Sequence, residues 1–545
     1  HLLGDFALVI WDPGNQRLVC ARDTSGQRSL YYRVDDRVFA AGSEIHQLFQ
    51  DPAVPIAPNE ERIRDYLVPL NMFRNEKDQA PTFYEGIFAL PAGHVLVVDR
   101  DTATVRRYWD FAPPSEIRYR DDEQYAEHFR ELFFEVVRAR LRSNRPIGAQ
   151  LSGGLDSSSI VCAAQELDRA GRAVEHGFTS YSLVFDGLEC DESAFIRDVQ
   201  AKYSLDARFI PSSGRIVTSL YLEPRGFMRG PGKDVNELDG VLGAASRDGI
   251  RTILSGEVAD ACTAGSRQVF DSLLRHGRYV DCWRQLRTYR RVTGETWRKT
   301  LAVSGLFPLL PLVLQRAGMV AYTRRVLARE RATLLPRWMP DTLRLDLARR
   351  HAGLSIAAER GRRFSSPSRQ GEYDLLYPPE VGNLPAGWPV EISRPYADRR
   401  LHEFLLAIPP EQKFAPRPGS DEFYAGSKLI VRRALRGILP ESIRTRSDKS
   451  HFASLFEDEV RQQWPTYELV FGPGGRSEVA ERGYVDPPAF WKRLNRLREG
   501  AWGTDFLYIT RVMWLETWLR TFRLPRPRRI SVADPRGELQ PAGPR

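Results

Sequence analysis

The chain has 545 residues, a length that exceeds one hydrophobic core and therefore predicts two or more domains. Its hydrophobic fraction is 42% and its charged fraction 27%, and no apolar run is long enough to cross a membrane, so we expect a globular protein with no membrane partner. The net charge of +9 would suit a nucleic acid, but the arginines are interspersed with Glu and Asp. We therefore expect no nucleic-acid partner; the positive field would also suit a polyphosphate substrate.

The cysteines are odd in number and widely spaced, and no two of them form a C-x-x-C pair. They are Cys20, Cys162, Cys190, Cys262 and Cys282. This pattern argues against a disulfide framework or a zinc site and predicts a reducing, cytoplasmic location.

Short alternating runs separated by turns fill residues 1 to 113 and predict a β-rich first domain. The clearest runs are Ala7 to Trp11, Arg17 to Cys20 and His94 to Asp99. A proline-containing linker, Phe111 to Pro114, ends this region.

Strands and helices alternate from Asp121 onwards, which predicts an α/β domain with a parallel, doubly wound sheet over residues 121–524. The predicted elements are, in chain order, helix Asp121 to Arg142, strand Pro146 to Leu151, helix Ser157 to Ala170, strand Phe178 to Phe185, a helix that starts near Glu192 and strand Ile250 to Leu254. Beyond Arg267 we expect mainly helices. The apolar run Leu306 to Leu314 contains two prolines and predicts buried core or a helix junction. Residues 525–545 are rich in Pro and Arg and predict a disordered basic tail.

The turn after the first of these strands carries the chemistry. Gly153 and Gly154 would let backbone N–H groups approach phosphate oxygens, while Ser152 and Ser157 add hydroxyl donors at a helix N-terminus. No Lys follows the glycines, which separates the turn from a Walker-type loop. Asp156 would repel phosphate unless a cation lay between them, so it implies Mg²⁺. A tight strand-to-helix turn without a ligand is the alternative.

The string S-G-G-L-D-S-S resembles the pyrophosphate-binding loop of ATP-pyrophosphatases, and further motifs narrow this to the asparagine synthetases and their relatives. In the first region the similar stretches are Gly4 to Asp12, Ala21 to Tyr32, Phe39 to Glu44 and Tyr84 to His94. In the second they are Ser255 to Asp260, Glu391 to Asp398, Ser427 to Arg432 and Leu439 to Lys449. The stretches at Glu391 and Ser427 resemble the family's later helical motifs. The resemblance implies an incomplete Ntn-type glutamine-amidotransferase-like domain followed by an ATP-pyrophosphatase domain with helical additions.

The resemblance also implies roles for individual residues. Those expected to bind ATP are Leu151, Ser152, Gly153, Gly154, Asp156, Ser157, Leu183, Ser255 and Gly256. Asp156 and Asp260 would hold Mg²⁺, the alternative for Asp260 being a helix N-cap. Lys449 matches the Lys that neutralises the α-phosphate and the tetrahedral intermediate, the alternative being a solvated surface charge. Glu257 and Glu391 match acidic positions near the acyl-adenylate, where they could orient or deprotonate the attacking amine.

The implied activity is ATP-dependent carbon–nitrogen ligation, in which a carboxylate becomes its adenylate and ammonia or an amine attacks it. Aspartate is the default carboxylate, a precursor peptide is the alternative, and a homodimer fits the resemblance. Two departures keep other readings open. The family's glutaminase begins with a nucleophilic Cys, but position 1 here is His, and the family's glutamine-binding stretch would precede the motif at Gly4. Either the sequence is truncated or the domain never had glutaminase activity, and the chain as given is expected not to hydrolyse glutamine. Val258 and Ala261 replace the family's Gly and acidic residue, which favours ring-closing relatives: β-lactam synthetases and lasso-peptide macrolactam cyclases.

Two more distant hypotheses are a tRNA-modifying ATP-pyrophosphatase and a non-catalytic binding protein. The amidotransferase-like first region and the absence of paired cysteines count against the first. The presence of Asp156, Asp260 and Lys449 counts against the second.

Overall fold

The structure is a computed structural model. The residues it describes are 2–35, 38–67, 81–112, 115–172, 176–212, 230–231, 236–265, 269–311, 313–318, 320–321, 335–360, 389–417, 426–450, 453–503 and 505–523. The tail predicted for residues 525–545 lies outside this set.

Two antiparallel sheets form the N-terminal region. The strands are β1 (Ala7–Asp12), β2 (Arg17–Arg22), β3 (Tyr31–Val34), β4 (Phe39–Gly42), β5 (Phe88–Ala89), β6 (His94–Val98) and β7 (Ala103–Arg107). One sheet has the order β1-β2-β6-β7 and the other β4-β3-β5. Alternate side chains of a strand point to opposite faces, so the apolar residues Cys20, Tyr32 and Leu96 meet in a small core between the sheets. The predicted β-rich region is confirmed.

A five-stranded parallel sheet forms the second region. Its strands are β8 (Ile147–Gln150), β9 (Phe178–Val184), β10 (Ala207–Pro211), β11 (Thr252–Leu254) and β12 (Glu391–Ser393). They lie in the order β10-β9-β8-β11-β12, with helices as crossovers, which confirms the α/β prediction. The expectation of a helical motif at Glu391 is wrong, because the three residues Glu391–Ser393 form β12, which pairs with β11 and extends the sheet.

Helices cover the sheet and continue to the end of the described chain. They are α1 (Ile45–Leu48), α2 (Glu60–Leu67), α3 (Asp122–Arg140), α4 (Leu155–Arg169), α5 (Ser193–Tyr203), α6 (Asn236–Arg247), α7 (Ala259–Thr263), α8 (Val269–Arg275), α9 (Tyr279–Thr293), α10 (Trp297–Thr300), α11 (Asp341–Arg360), α12 (Arg399–Ala407), α13 (Leu429–Ala434), α14 (Glu441–Arg444), α15 (Ala453–Gln462), α16 (Trp464–Phe471), α17 (Glu478–Glu481), α18 (Pro487–Arg498) and α19 (Phe506–Arg520).

Helix α3 confirms the prediction made from its apolar residues at helical spacing. The Asp121 side chain accepts a hydrogen bond from the Gln124 N–H and caps the helix, a contact that contributes about 1 kcal/mol. Phe129 and Phe133, one helical turn apart, are fully buried in the core of the parallel-sheet domain.

The two regions share a second hydrophobic core. Tyr84 and Ile63 of the first region pack with Trp518 and Met513 of α19, and the Trp518 indole donates to the Tyr84 hydroxyl at 3.2 Å. Shared apolar burial of this kind stabilises one arrangement of the two regions.

The apolar segment around Pro308 differs from expectation. A π-helix (Leu301–Leu306) and a 3₁₀-helix (Phe307–Leu309) form the predicted junction, but Leu306 and Val313 are exposed among the described residues. The burial prediction is therefore wrong for these two side chains.

Candidate active site

The site forms where the strand order of the parallel sheet reverses. β8 is first along the chain and central in the sheet; the chain moves from it to β9 and β10 on one side, then returns to β11 on the other. The strand order therefore reverses between β8 and β11, and the carboxyl ends of the strands at such a switch point are the usual binding position in open α/β sheets.

The turn after β8 is tightly packed. Gly153 has φ +79°, and a Cβ there would lie 2.9 Å from the Glu192 carbonyl oxygen, so both conformation and space require glycine. Ser157 Oγ accepts from the Ser152 N–H at 3.1 Å and lies 3.0 Å from Ser152 Oγ. Gly154 caps α4, whose first N–H groups have no intrahelical acceptor. The arrangement suits phosphate oxygens.

The loop after β11 lies against this turn. A Cβ on Gly256 would lie 2.8 Å from the Ser157 backbone nitrogen, so only glycine allows the two backbones to approach this closely. The N–H of buried Ser255 donates to the Ser393 carbonyl at 2.9 Å, which ties the loop to β12. The predicted nucleotide loops are thus brought together.

The acidic pair meets at a buried lysine. Lys428 Nζ lies 2.6 Å from Asp156 Oδ2 and 2.5 Å from Asp260 Oδ1. The Lys428 side chain is only 3% exposed, and its backbone has φ +56°, in the left-handed region. Lys449 Nζ lies 3.5 Å from Asp260 Oδ2, so Asp156, Asp260 and Lys449, predicted from distant motifs, form one cluster.

The charges in this cluster shift one another's protonation. Burial raises the pKa of Asp156, a shift that Lys428 opposes. Burial also acts to raise the pKa of Asp260, but Lys428 and Lys449 outweigh it, so the net direction is down. Burial acts to lower the pKa of Lys428, but the two carboxylates outweigh it and raise the pKa. Lys428 is therefore a permanent cation at neutral pH.

The two predicted glutamates lie apart. Glu257 follows the Gly256 loop, and its Oε2 accepts from Arg394 Nε at 2.6 Å. Glu391 begins β12, at the amino end of the strand, and pairs with Arg28 of the N-terminal region at 2.7 Å. Glu391 and Arg394 line a cavity of about 300 Å³ to which the N-terminal region also contributes side chains. Arg394 therefore connects this cavity to Glu257, whereas Glu391 lines the cavity and pairs with Arg28.

The residues predicted to line the nucleoside pocket lie at the same sheet edge. Leu151 directly follows β8, is buried, and its N–H donates to Tyr181 of β9 at 3.0 Å. Leu183 is the penultimate residue of β9. Deeper in the domain, the buried Tyr396 hydroxyl lies 2.7 Å from Ser159 Oγ, which ties the segment after β12 to α4.

Sequence reasoning gave no role to Lys428, Arg394 or Arg446. All three residues lie inside family-like motifs, which was the available signal. Nothing in the linear sequence shows that Lys428 reaches a carboxylate 272 positions earlier.

Two protein families have models that match this chain. The asparagine synthase family model matches residues 128–520, more than half of the chain, and the glutamine amidotransferase domain model matches residues 1–109. The chain belongs to the asparagine synthase family. This membership places it among ATP-dependent amide ligases.

Individual relatives of this asparagine synthase family member are distant. The amidase chry2 of Gibberella zeae is 23% identical over 540 residues, covering 92% of this chain and 76% of that protein. The amidase chyE of Penicillium rubens is 24% identical over 522 residues, covering 89% and 74%. A putative glutamine-hydrolysing asparagine synthetase of Methanocaldococcus jannaschii is 27% identical over 301 residues, covering 53% and 54%.

The described part of the chain contains neither a membrane-spanning helix nor a cluster of metal-binding side chains. Within it, no helix combines the length and the apolar character that a membrane span requires. The same residues contain no group of three or more His, Cys, Asp or Glu side chains that could hold a metal ion by themselves.

Proposed function

We propose that this chain activates a carboxylate with ATP, releases pyrophosphate, and transfers the acyl group from AMP to a nitrogen nucleophile. The observation that carries the proposal is the meeting of Asp156, Asp260 and Lys449 beside the Gly153 turn, at the switch point of an asparagine synthase domain. A polyphosphate would find two kinds of donor here, the backbone N–H groups of the turn and the ammonium groups of the two lysines.

The protein groups have separate tasks in the first step. The Gly153 turn and the Ser152 and Ser157 hydroxyls would hold the β- and γ-phosphates. Lys449, half-exposed at the mouth of the site, would approach the α-phosphate and stabilise the negative charge that grows as the carboxylate attacks phosphorus. Lys428 would keep both aspartates ionised and in place.

Mg²⁺ fits the residues present. Asp156 Oδ1 is buried and, within the described chain, has no hydrogen-bond partner, so one carboxylate oxygen is available as a ligand. Asp156 and Asp260 would hold the ion together with phosphate oxygens and water, the usual arrangement for magnesium in nucleotide sites. When bound, Mg²⁺ would neutralise charge on the departing pyrophosphate.

In the second step Glu257 is the better-placed acid. It lies next to Gly256, at the nucleotide loops, and Arg394 fixes its carboxylate, so it would orient the incoming ammonia or amine. Glu391 remains a prediction, with Arg28 as its observed partner.

Aspartate is the default carboxylate, and asparagine the default product. One observation favours a different acyl substrate, as in a ring-closing ligase. Val258, directly after Glu257, has φ +74°, a conformation costly for a β-branched residue. Its isopropyl group is placed where the resemblance expects a glycine. Two relatives that cover about nine-tenths of this chain are, in addition, named amidases.

The test is ATP–pyrophosphate exchange with Mg²⁺, in which aspartate is compared with a panel of other amino acids and peptides. Exchange with aspartate, and asparagine formation when ammonia is added, would establish asparagine synthesis. Exchange with another carboxylate alone would establish the alternative. Asp156→Asn is the matched control, because it preserves shape and should abolish the signal. Exchange that survives this substitution would contradict the proposed site.

A further inference from the structure

The segment that carries Lys449 has no regular secondary structure of its own. Residues 446–450 form neither helix nor strand, and Lys449 itself is 56% exposed. Its 3.5 Å pair with Asp260, which is also exposed, is too weak to hold a four-carbon side chain in one position. The position of the lysine therefore depends on what fixes its neighbours.

Arg446 bonds to the residues on both sides of Lys449. Its Nε donates to Asp448 Oδ1 at 3.2 Å and its Nη2 to Ser450 Oγ at 2.9 Å. Its Nη1 donates to Glu192 Oε1 at 2.6 Å, and the Ser450 hydroxyl donates to the same oxygen at 2.8 Å. The Arg446 side chain is only 5% exposed, so these charge-assisted bonds are largely shielded from water.

The anchor of this arrangement is the wall of the phosphate turn. Glu192 precedes α5, and its carbonyl oxygen and Cβ are the atoms that a side chain at Gly153 would strike. Phe195, one helical turn later, also packs against Gly153, and the Arg446 guanidinium lies 4.2 Å from the centre of its ring. The same short stretch thus supports the phosphate turn on one side and Arg446 on the other.

We infer that Arg446 is a positioning residue that holds Lys449 at a fixed offset from the phosphate turn. Its planar fork serves Asp448, Ser450 and Glu192 at once, which a lysine ammonium cannot do. Because Glu192 is rigidly packed on Gly153, the lysine and the turn that binds the β- and γ-phosphates are fixed to one another. The inference rests on the role proposed above for Lys449.

The deciding experiment is a double-mutant cycle on nucleotide binding. Binding of α,β-methylene-ATP with Mg²⁺ is measured by titration calorimetry for wild type, Arg446→Lys, Lys449→Ala and the double variant. Each single substitution is expected to weaken binding by about 10-fold. The double variant is expected to match Lys449→Ala within about 2-fold, because Arg446 acts through Lys449. A purely structural Arg446 would give losses that multiply, and that result would overturn the inference.

Arg444→Lys is the matched control. Arg444 is a neighbouring arginine whose guanidinium bonds Glu441 in its own helical turn, and its replacement should leave binding unchanged. If Arg446→Lys unfolds, Ser450→Ala replaces it in the cycle, since it removes two hydrogen bonds of the same network and no charge.

A second measurement needs no nucleotide. Glu192→Gln removes the anchoring charge but leaves every lysine in place, so cleavage after Lys449 by the lysine-specific protease Lys-C can be compared directly. We expect cleavage about 10-fold faster than in wild type, because a released segment is more often open to the protease. Equal rates would show that the contacts do not hold the segment. Absence of nucleotide binding by wild type would instead refute the proposed function, so the two failures are distinguishable.

Discussion

Replacement of Lys428 by Met tests the charge balance of the site. Methionine keeps most of the side-chain volume and the same backbone requirement at φ +56°, so the substitution removes essentially the ammonium group. What remains is Asp156, whose carboxylate is largely buried, facing the carboxylate of Asp260 with no cation between them.

The expected loss can be worked from exposure. Removing one partner of a buried ion pair costs about 3–5 kcal/mol, because the other charge stays buried without compensation. The Asp260 side chain is 62% exposed, so water can solvate it when Lys428 is removed. Loss of the Lys428–Asp260 pair therefore lowers the free energy of unfolding by at most about 1 kcal/mol. The Asp156 side chain is 21% exposed, so we expect the lower end of the range, about 3 kcal/mol in the free energy of unfolding.

Urea unfolding followed by tryptophan fluorescence measures this loss. Adding Asp156→Asn to Lys428→Met should recover most of it, since the orphaned charge is then absent. The loss should also be smaller at pH 5 than at pH 8: burial already raises the pKa of Asp156, and without Lys428 it rises further, so the folded protein takes up a proton as the pH falls. Lys449→Met, at an exposed pair, should cost less than about 1 kcal/mol. A loss for Lys428→Met below about 1 kcal/mol, or one that Asp156→Asn does not reduce, would refute the reasoning.

Three further predictions concern single residues. Val258→Gly should be more stable to urea than Val258→Ala by about 1 kcal/mol, because alanine is still strained at φ +74° and glycine is not. This is the reverse of the order of helix propensity, and equal unfolding midpoints would argue against strain. Burial lowers the pKa of His402 to about 4, so the unfolded chain binds the extra proton first, and stability should fall by about 3 kcal/mol between pH 7 and pH 4. His402→Gln should flatten that slope in pH-dependent denaturation; an unchanged slope would assign it to other groups. Gly256→Ala should cost about 1–3 kcal/mol and weaken MgATP binding, because its Cβ meets backbone at 2.8 Å, whereas Gly353→Ala in α11, where space is open, should not destabilise.

Local rules were sufficient for most of the fold. The period of apolar residues predicted α3, which buries one face. The strands β8 and β9 were predicted from short apolar runs bounded by turns, which suits strands of a parallel sheet that are covered on both faces. β12 was missed because three residues carry no readable period, and their strand conformation comes from pairing with β11. The exposure of Leu306 was missed because composition says which side chains gain from burial, not which find a partner.

The candidate site divides in the same way. The Gly153 turn and Asp156 could be predicted locally, because the string S-G-G-L-D-S-S between a strand and a helix is more specific than a glycine turn alone. Asp260 and Lys449 followed only from resemblance, and the structure adds the spatial evidence that they meet. The assignments remain predictions until the exchange assay is done. Lys428 could not be found this way, because its meaning lies in a contact between segments far apart in sequence.

The absence of a lysine after Gly154 first distinguished this turn from a Walker-type loop. The electrostatic requirement behind that lysine does not disappear, because pyrophosphate still needs positive charge near its oxygens. On the proposal made above, the cations come from segments outside the turn: Lys428 at the start of α13 and Lys449 after α14. A Walker lysine moves with its own loop, whereas these two depend on how separate segments pack. If Arg446 and Glu192 position Lys449 as inferred, loss of their contact should lower activity while the nucleotide loops keep their geometry.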